Sequence, residues 1–235
     1  NYANDYSDGV KGTDAVRVGP VRLVASGLAS PPAVKRAAVV AFGIAAAAGA
    51  ALAVAIGPEL LVVGAAAIAA GWFYTGGPKP YGYLGLGEVF VFVFFGLVAT
   101  VGSTYAAVGK ITALSVVVGC VAGSLACALL VINNLRDIPT DRDVGKRTLA
   151  VRLGDSRTRS FYVLLIVAAF VLIGASAAWR PLTLLGLLAA PLAVPPIRTV
   201  LGGASGGALI PVLGGTGKLQ LAVGLATTIG LALGG

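Results

Sequence analysis

The sequence contains no histidine, no methionine and only two cysteines among its 235 residues. Without histidine, catalysis by a histidine base and zinc sites with histidine ligands are excluded. Cys120 and Cys127 lie in one apolar run at a spacing that puts them on one helical face, so packing is their expected role. Charged residues make up 11% of the chain, less than half of the roughly 25% that is usual in soluble domains.

The sequence consists largely of long apolar runs. Hydrophobic residues amount to 57%, and the mean hydropathy is +0.94. Since a membrane-spanning helix needs about 20 apolar residues, the sequence predicts an all-α, polytopic transmembrane helical bundle. Its seven candidate spans are 37–57, 59–75, 88–108, 111–134, 160–179, 181–200 and 217–234. Residues 1–8 are typical of the end of a further helix.

Basic residues are concentrated on one side of these predicted spans. Alternation across the membrane puts all 17 lysines and arginines, except Lys110 and Arg180, on the side of residues 1–36. Cytoplasmic loops carry such an excess, so we expect this side to be cytoplasmic. Attraction to anionic headgroups accounts for much of the same charge, and membrane lipid rather than nucleic acid is the expected surrounding.

The acidic residues form two clusters that this orientation rule does not explain, because aspartate contributes little to orientation. Six of the aspartates are Asp5, Asp8, Asp14, Asp137, Asp141 and Asp143. An Asn-x-x-x-Asp spacing occurs in both clusters, starting at Asn1 and at Asn133. Helix capping would explain one cluster, but two on the same predicted side favour a functional site. Pro139 is expected to end or distort its helix, leaving the last turn of the second cluster unwound.

Carboxylates this close together resist joint ionisation unless a cation lies between them. Aspartate and asparagine oxygens, without histidine or cysteine, suit Mg²⁺, which commonly binds substrate phosphates as well. The candidate metal ligands are Asn1, Asn4, Asp5, Asp8, Asn133, Asp137 and Asp141. Basic side chains beside the clusters could hold the oxygens of a diphosphate; they are Lys11, Arg17, Arg22, Arg136, Arg142, Lys146 and Arg147.

A third polar segment, GWFYTGGPKPYGYLGLGE at 71–88, lies on the same predicted side and is rich in aromatic residues. It is either an interfacial aromatic belt with a turn or a lining for a cationic intermediate. In the second case Tyr74, Lys79 and Glu88 are candidate binding residues for an anionic acceptor or a prenyl chain. Glu88 has a simpler interpretation too, as a carboxylate in the first turn of a helix.

Together these motifs resemble the UbiA superfamily of intramembrane aromatic prenyltransferases, whose acidic motifs have the forms N-D-x-x-D and D-x-x-x-D. The forms read here as Asn4-Asp5-x-x-Asp8 and Asp137-x-x-x-Asp141. The stretches NDYSDGVKGTD, YTGGPKPYGYLGLGE and NNLRDIPTDRDVGKRTLAVRLG are most similar to the 1,4-dihydroxy-2-naphthoate polyprenyltransferase branch.

The chain departs from the superfamily pattern at two places. Gly12 stands where other members carry a third acid, and Asp14 is displaced from that position. Tyr74 and Lys79 are one residue farther apart than the Tyr-x-x-x-Lys of many members. Both departures favour the naphthoate branch.

The resemblance implies a nine-helix membrane fold, so residues 1–235 are expected to be a single prenyltransferase domain that lacks its first one to two helices. It also implies Mg²⁺-dependent transfer of a polyprenyl group from polyprenyl diphosphate to 1,4-dihydroxy-2-naphthoate. Decarboxylation would then give demethylmenaquinone in menaquinone biosynthesis. The implied catalytic residues are Asp5, Asp8, Asp137 and Asp141, with the Asp-rich loops on the cytoplasmic side of the inner or plasma membrane.

Three other functions share some of these sequence features. A UbiA-type enzyme with another acceptor, such as 4-hydroxybenzoate, would share the same motifs. CDP-alcohol phosphotransferases carry Asp-Gly followed by Ala-Arg, whereas Asp8-Gly9 is followed here by Val10-Lys11. A transporter would also have intramembrane acids, but these acids cluster at one predicted face rather than at mid-membrane.

Overall fold

The computed structural model describes residues 1–13 and 19–234. Their regular structure is helical, and these residues contain no β-strand. The helices are α1 (Tyr2–Lys11), α2 (Pro31–Ile56), α3 (Glu59–Phe73), α4 (Gly87–Val108, π-helical over Phe92–Val98), α5 (Ala113–Asp143), α6 (Leu149–Leu153), α7 (Asp155–Ser176), α8 (Pro181–Leu201, 3₁₀-helical over Pro181–Ala193) and α9 (Gly206–Leu233, 3₁₀-helical over Gly206–Leu209). The predicted all-α fold class is confirmed, and α1 is the helix end expected at residues 1–8.

Six helices of the described ranges are long and apolar enough to cross a membrane: α2, α4, α5, α7, α8 and α9. The remaining predicted span, 59–75, corresponds to α3, an apolar helix of 15 residues. The chain is therefore an integral membrane protein. The last helix begins at Gly206, well before the expected start at 217, because glycine is tolerated inside membrane helices where small residues allow close packing.

Helix α5 continues through Pro139 to Asp143, so the expected break near Asp137 is wrong. A proline removes one hydrogen bond from the helix interior, and the turns on both sides keep theirs. Beyond the proline, the N–H of Val144 still donates to the carbonyl of Thr140 at 3.1 Å. Both acidic positions of the second motif consequently have helical backbone.

The chain divides into two compact units, of which the first consists of Asn1–Gly87 and Pro139–Leu149. In this unit α1 packs against α2 and α3, and α2 packs against α3. A 3₁₀ turn, Tyr81–Leu84, follows α3 and precedes Gly87, where this segment of the unit ends. The outer side of α2 exposes large apolar side chains, among them Val54 at 90%, as expected of a helix face in contact with lipid.

The second unit consists of Glu88–Ile138 and Ala150–Gly235. Its strongest packing is between α8 and α9. Its core is formed by buried side chains that include Leu125, Val131, Ile132, Tyr162, Ile166, Ile173, Leu219 and Val223. The buried hydroxyls of Tyr162 and Thr216 lie 2.7 Å apart, so two polar groups of this core satisfy each other.

Helices α4 and α5 of the second unit approach each other at glycines. A Cβ atom on Gly96 would lie 2.5 Å from the Cα of Gly123 and 2.7 Å from the carbonyl oxygen of Gly119. Side chains at Gly96 are therefore excluded unless the helices separate. Close contact between small residues is a main source of stability between membrane helices, which accounts for part of the high glycine content.

Candidate active site

Helix α1 presents the first acidic motif to the interior of the first unit. Asp5 and Asp8 are only 6% and 5% exposed. The helix ends at Lys11 and is capped by Gly12, whose φ of 73° lies in the left-handed region. This position strongly favours glycine, which gives a backbone reason for the missing third acid of the superfamily pattern.

Asp8 contacts two side chains that come from distant parts of the sequence. Its Oδ1 accepts a hydrogen bond from the Tyr83 hydroxyl at 2.6 Å, and its Oδ2 lies 3.5 Å from the Nζ of Lys146. Lys146 is buried, with 8% of the residue exposed, and a buried ammonium needs a compensating charge. Asp8 supplies that charge, so the first acidic motif and the basic segment after α5 meet in this unit.

The ring of Tyr83 lies beneath two ammonium groups. The Nζ of Lys146 is 4.7 Å from the ring centroid, and the Nζ of Lys11 is 5.1 Å from it. Both distances allow a cation–π attraction. Lys11 also donates to the carbonyl of Thr75 at 2.7 Å. The group of Asp8, Lys11, Tyr83 and Lys146, here called the Tyr83 cluster, has two positive charges and one negative charge.

Tyr83 is the residue that the sequence analysis missed. It is one of several aromatic residues between 71 and 88, and neither its type nor its spacing set it apart from Tyr74. Its backbone also joins the cluster, because its carbonyl accepts the N–H of Arg147 at 3.0 Å. The N–H of Lys146 in turn donates to the carbonyl of Asp141 at 2.8 Å, which connects the end of the second motif to the cluster.

The remaining residues of the aromatic segment have separate environments. Tyr74 is partly buried and packs edge-on against Tyr81, with ring centroids 5.5 Å apart. The Tyr81 hydroxyl donates to the carbonyl of Ala70 at 2.7 Å, and burial raises the pKa of Tyr81 to about 12. Lys79 is exposed. The hydroxyl of Thr75 donates to the amide oxygen of Asn4 at 3.0 Å.

Asp5 makes contacts of a different kind from those of Asp8. Its Oδ2 accepts the backbone N–H of Leu23, and its Oδ1 accepts the backbone N–H of Val24, both at 2.9 Å. Asn1 stands at the N-terminal cap of α1 and is exposed. The two aspartates of the first motif therefore bind backbone in one case and side chains in the other.

The second acidic motif carries an ion pair between neighbouring residues. Arg136 and Asp137 form two hydrogen bonds of 2.7 Å, from Nε to Oδ1 and from Nη2 to Oδ2. This bidentate geometry is the strong form of such a pair. The Nη1 of Arg136 is buried and has no hydrogen-bond partner within the described ranges. The Asn133 amide donates to the Leu129 carbonyl at 3.2 Å.

Glu88 is buried in the second unit, with 5% exposure. Its Oε1 accepts a hydrogen bond from the amide of Asn134 at 2.9 Å, and its carbonyl accepts one from the thiol of Cys127 at 3.1 Å. The cysteine is thus a buried packing residue with a weak donor, in agreement with the sequence analysis. Glu88 lies in the first turn of α4, as the simpler interpretation expected, and its role toward an acceptor or a prenyl chain stays a prediction.

Several predicted residues lie at the surface or are not described. Arg142 and Arg147 are exposed, and Arg22 is partly buried. Arg17 and Asp14 lie outside the described residues. No group of three histidine, cysteine, aspartate or glutamate side chains in residues 1–13 and 19–234 is arranged to hold a metal ion. Within α1, however, the side-chain oxygens of Asn4 and Asp8 are one helical turn apart, and such oxygen donors fit Mg²⁺ chemically.

Comparison with known proteins gives a consistent result across the chain. The model of the UbiA prenyltransferase family matches residues 1–201. The 1,4-dihydroxy-2-naphthoate octaprenyltransferase of Mycobacterium tuberculosis is 50% identical over 234 residues, which cover 100% of this chain and 80% of that protein. Proteins of the same name from Mycobacterium leprae and Escherichia coli are 48% and 37% identical, covering 100% and 99% of this chain and 80% and 79% of theirs.

Proposed function

This chain belongs to the UbiA prenyltransferase family, and from that premise we propose that it transfers a polyprenyl group from a polyprenyl diphosphate to 1,4-dihydroxy-2-naphthoate. The observation that carries the proposal is 50% identity, across the whole chain, to a 1,4-dihydroxy-2-naphthoate octaprenyltransferase. The reaction class, prenyl transfer by a membrane enzyme, follows from the family itself. The acceptor and the place in menaquinone biosynthesis are the proposed part.

The Tyr83 cluster supports a role in binding the diphosphate of the donor. Lys11 and Lys146 place two ammonium groups over the Tyr83 ring, and Asp8 beside Lys146 supplies one carboxylate, so the cluster keeps one net positive charge for an anion. Lys11 comes from α1 and Lys146 from the segment after α5. An anion bound at the cluster would therefore contact the chain near both acidic motifs. The further proposed diphosphate ligands are Arg17, Arg22, Arg136, Arg142 and Arg147, of which Arg136 has an open buried nitrogen.

The proposed cofactor is Mg²⁺, with oxygen ligands from both acidic motifs. Asn4 and Asp8 on α1 and Asn133, Asp137 and Asp141 on α5 are the proposed ligands, and Asn1 is a further candidate from the motif spacing. When bound, the ion would neutralise negative charge on the leaving diphosphate. Asp5 belongs to the predicted set as well, although both of its carboxylate oxygens accept backbone N–H groups.

The residues of the chain would assist each step of the transfer. The bond between the allylic carbon and the diphosphate oxygen breaks, and the diphosphate leaves with the electron pair, stabilised by Lys11 and Lys146. The electron-rich ring of the acceptor then attacks the allylic cation. Loss of the ring carboxylate as carbon dioxide returns an electron pair to the ring and gives demethylmenaquinol. Tyr74, Lys79 and Glu88 are the proposed residues on the acceptor or prenyl side.

An acceptor comparison tests this function. Membranes containing the protein would receive a polyprenyl diphosphate, Mg²⁺ and either 1,4-dihydroxy-2-naphthoate or 4-hydroxybenzoate, with the prenylated product identified by mass spectrometry. We expect product from the naphthoate only, and none when a chelator removes the metal. Product from hydroxybenzoate alone would contradict the proposed acceptor, and product in the presence of the chelator would contradict the Mg²⁺ proposal.

A further inference from the structure

We infer that Asp5 is a positioning residue, which holds the loop that carries Arg22 against α1, rather than a ligand of the metal. The carboxylate of Asp5 receives two backbone hydrogen bonds, from the adjacent N–H groups of Leu23 and Val24, both at 2.9 Å. With 6% exposure, Asp5 makes these bonds away from solvent. Hydrogen bonds to an ionised acceptor are stronger than those between neutral groups.

The segment that Asp5 holds is a compact turn rather than an extended strand. The N–H of Ser26 donates to the carbonyl of Arg22 at 3.0 Å, and the N–H of Ala29 donates to the carbonyl of Leu23 at 3.0 Å. The N–H groups of Leu23 and Val24 point to Asp5, so the turn is bonded internally and anchored at one end. Loss of the anchor would release Arg22 together with the turn.

Gly9, one helical turn after Asp5, also contacts the loop that Asp5 holds. A Cβ atom on Gly9 would lie 2.5 Å from the Cγ1 and 2.6 Å from the Cβ of Val24. Two successive positions on this face of α1 are therefore adapted to the same loop, one by hydrogen bonding and the other by lacking a side chain. Asp8 differs, because its contacts are Tyr83 and Lys146.

Arg22 directly precedes the two anchored N–H groups. If Arg22 binds the diphosphate, as the proposed function states, then the anchor at Asp5 sets the position of a charge that contacts the donor. This part of the inference rests on the proposed function. The anchoring itself does not, and it can be measured without any substrate.

Limited digestion with trypsin measures the anchor directly, because trypsin cleaves after arginine and the bond between Arg22 and Leu23 lies at the anchored N–H. In Asp5→Asn, one amide N–H would face the N–H groups of the loop, and only one acceptor oxygen would remain. Weakening of charge-assisted hydrogen bonds by this substitution should raise local opening, and we expect cleavage at Arg22 to be about tenfold faster.

A second variant disturbs the contact between the loop and α1 without changing the Asp5 carboxylate. Gly9→Ala leaves Asp5 intact but displaces Val24, so it should reproduce the faster cleavage at Arg22. Gly43→Ala on α2 is the matched control, because a Cβ atom there has no neighbour within 4 Å. We expect the control to be cleaved at the wild-type rate. Wild-type cleavage rates in both Asp5→Asn and Gly9→Ala would overturn the inference.

Kinetics then distinguish a positioning residue from a metal ligand. For both Asp5→Asn and Gly9→Ala we expect the KM for the prenyl diphosphate to rise about tenfold, with the Mg²⁺ concentration for half-maximal activity unchanged. A raised Mg²⁺ requirement in Asp5→Asn, but not in Gly9→Ala, would show that Asp5 is a metal ligand and would contradict the inference. An inactive wild-type protein would instead contradict the proposed function. The digestion result would then test by itself whether Asp5 holds the loop.

Discussion

At the scale of single residues, Tyr83 is the centre of the candidate site. Its hydroxyl binds the Asp8 carboxylate at 2.6 Å, and its ring lies within 5.1 Å of both Lys11 and Lys146. One phenol thereby fixes the position of an acid and two bases that come from separate sequence segments. A side chain with this many contacts should be sensitive to the loss of one atom.

Tyr83→Phe removes the hydroxyl and keeps the ring over which the ammonium groups lie. A hydrogen bond to a charged group is worth about 1.5–3 kcal/mol, so we expect kcat/KM for prenyl transfer to fall roughly tenfold or more. Tyr81→Phe is the matched control, since its hydroxyl bonds to the Ala70 carbonyl rather than to a motif residue. Equal activities in the two variants would exclude the Tyr83 hydroxyl from the site.

The phenol of Tyr81 provides a prediction about pH. Burial raises the pKa of Tyr81 to about 12, above the value of about 10 for a free tyrosine. The neutral form is therefore favoured by folding, so this stabilisation is complete below pH 10 and is lost as the pH rises toward 12. In an ultraviolet titration of phenolate, the wild type should show one more late-ionising tyrosine than Tyr81→Phe.

The sequence could indicate the residue types of the site but not all of their partners. Spacing was enough to place Asp5 and Asp8 on one polar stripe of a helix, and the structure shows that both are buried. The different contacts of these two residues depend on where the 19–30 loop and the 81–84 turn pack, and no local pattern encodes that. Tyr83 was missed for the same reason, since only tertiary packing separates it from its aromatic neighbours.

At the scale of helices, hydrophobic length was a sufficient guide because lipid requires every backbone group in a span to be bonded internally. All seven predicted spans correspond to helices of the described residues. The differences lie at Pro139, where the helix was expected to end or distort but continues to Asp143, and at the start of α9, which is Gly206 instead of 217.

The close approach of α4 and α5 should make the stability of the protein sensitive to side-chain size at Gly96. Gly96→Ala places a Cβ atom 2.5 Å from the Cα of Gly123, so the helices must separate. Overpacking of this kind costs about 1–3 kcal/mol, and we expect a lower thermal midpoint in detergent. Gly102→Ala on the same helix has no neighbour within 4 Å and should keep the wild-type midpoint, whereas equal midpoints would contradict the packing.

At the scale of the whole molecule, charge distribution predicts how the chain lies in the membrane. Alternation of the predicted spans puts all but two of the 17 basic residues on the side of the acidic motifs, and the positive-inside rule then predicts a cytoplasmic location for these motifs. The six long apolar helices of the described ranges establish membrane integration. Orientation remains a prediction that labelling can test.

Single cysteines introduced at the two faces would report the orientation. In a background with Cys120 and Cys127 replaced by alanine, Lys110→Cys and Arg142→Cys put thiols at positions that are exposed in the fold. A membrane-impermeant maleimide should label Lys110→Cys in intact cells and Arg142→Cys only after the membrane is permeabilised. The reverse pattern would place the acidic motifs outside the cytoplasm.

The proposed reaction can be followed with 1,4-dihydroxy-2-naphthoate labelled in its carboxyl carbon. Purified protein in lipid nanodiscs would be supplied with a polyprenyl diphosphate and Mg²⁺, and labelled carbon dioxide would be counted against prenylated product. We predict one carbon dioxide for each prenylated naphthoquinol, and neither product from Asp8→Asn. Prenylated product that retains the label would contradict decarboxylation, and the absence of prenylated naphthoate from folded wild-type protein would contradict the proposed function.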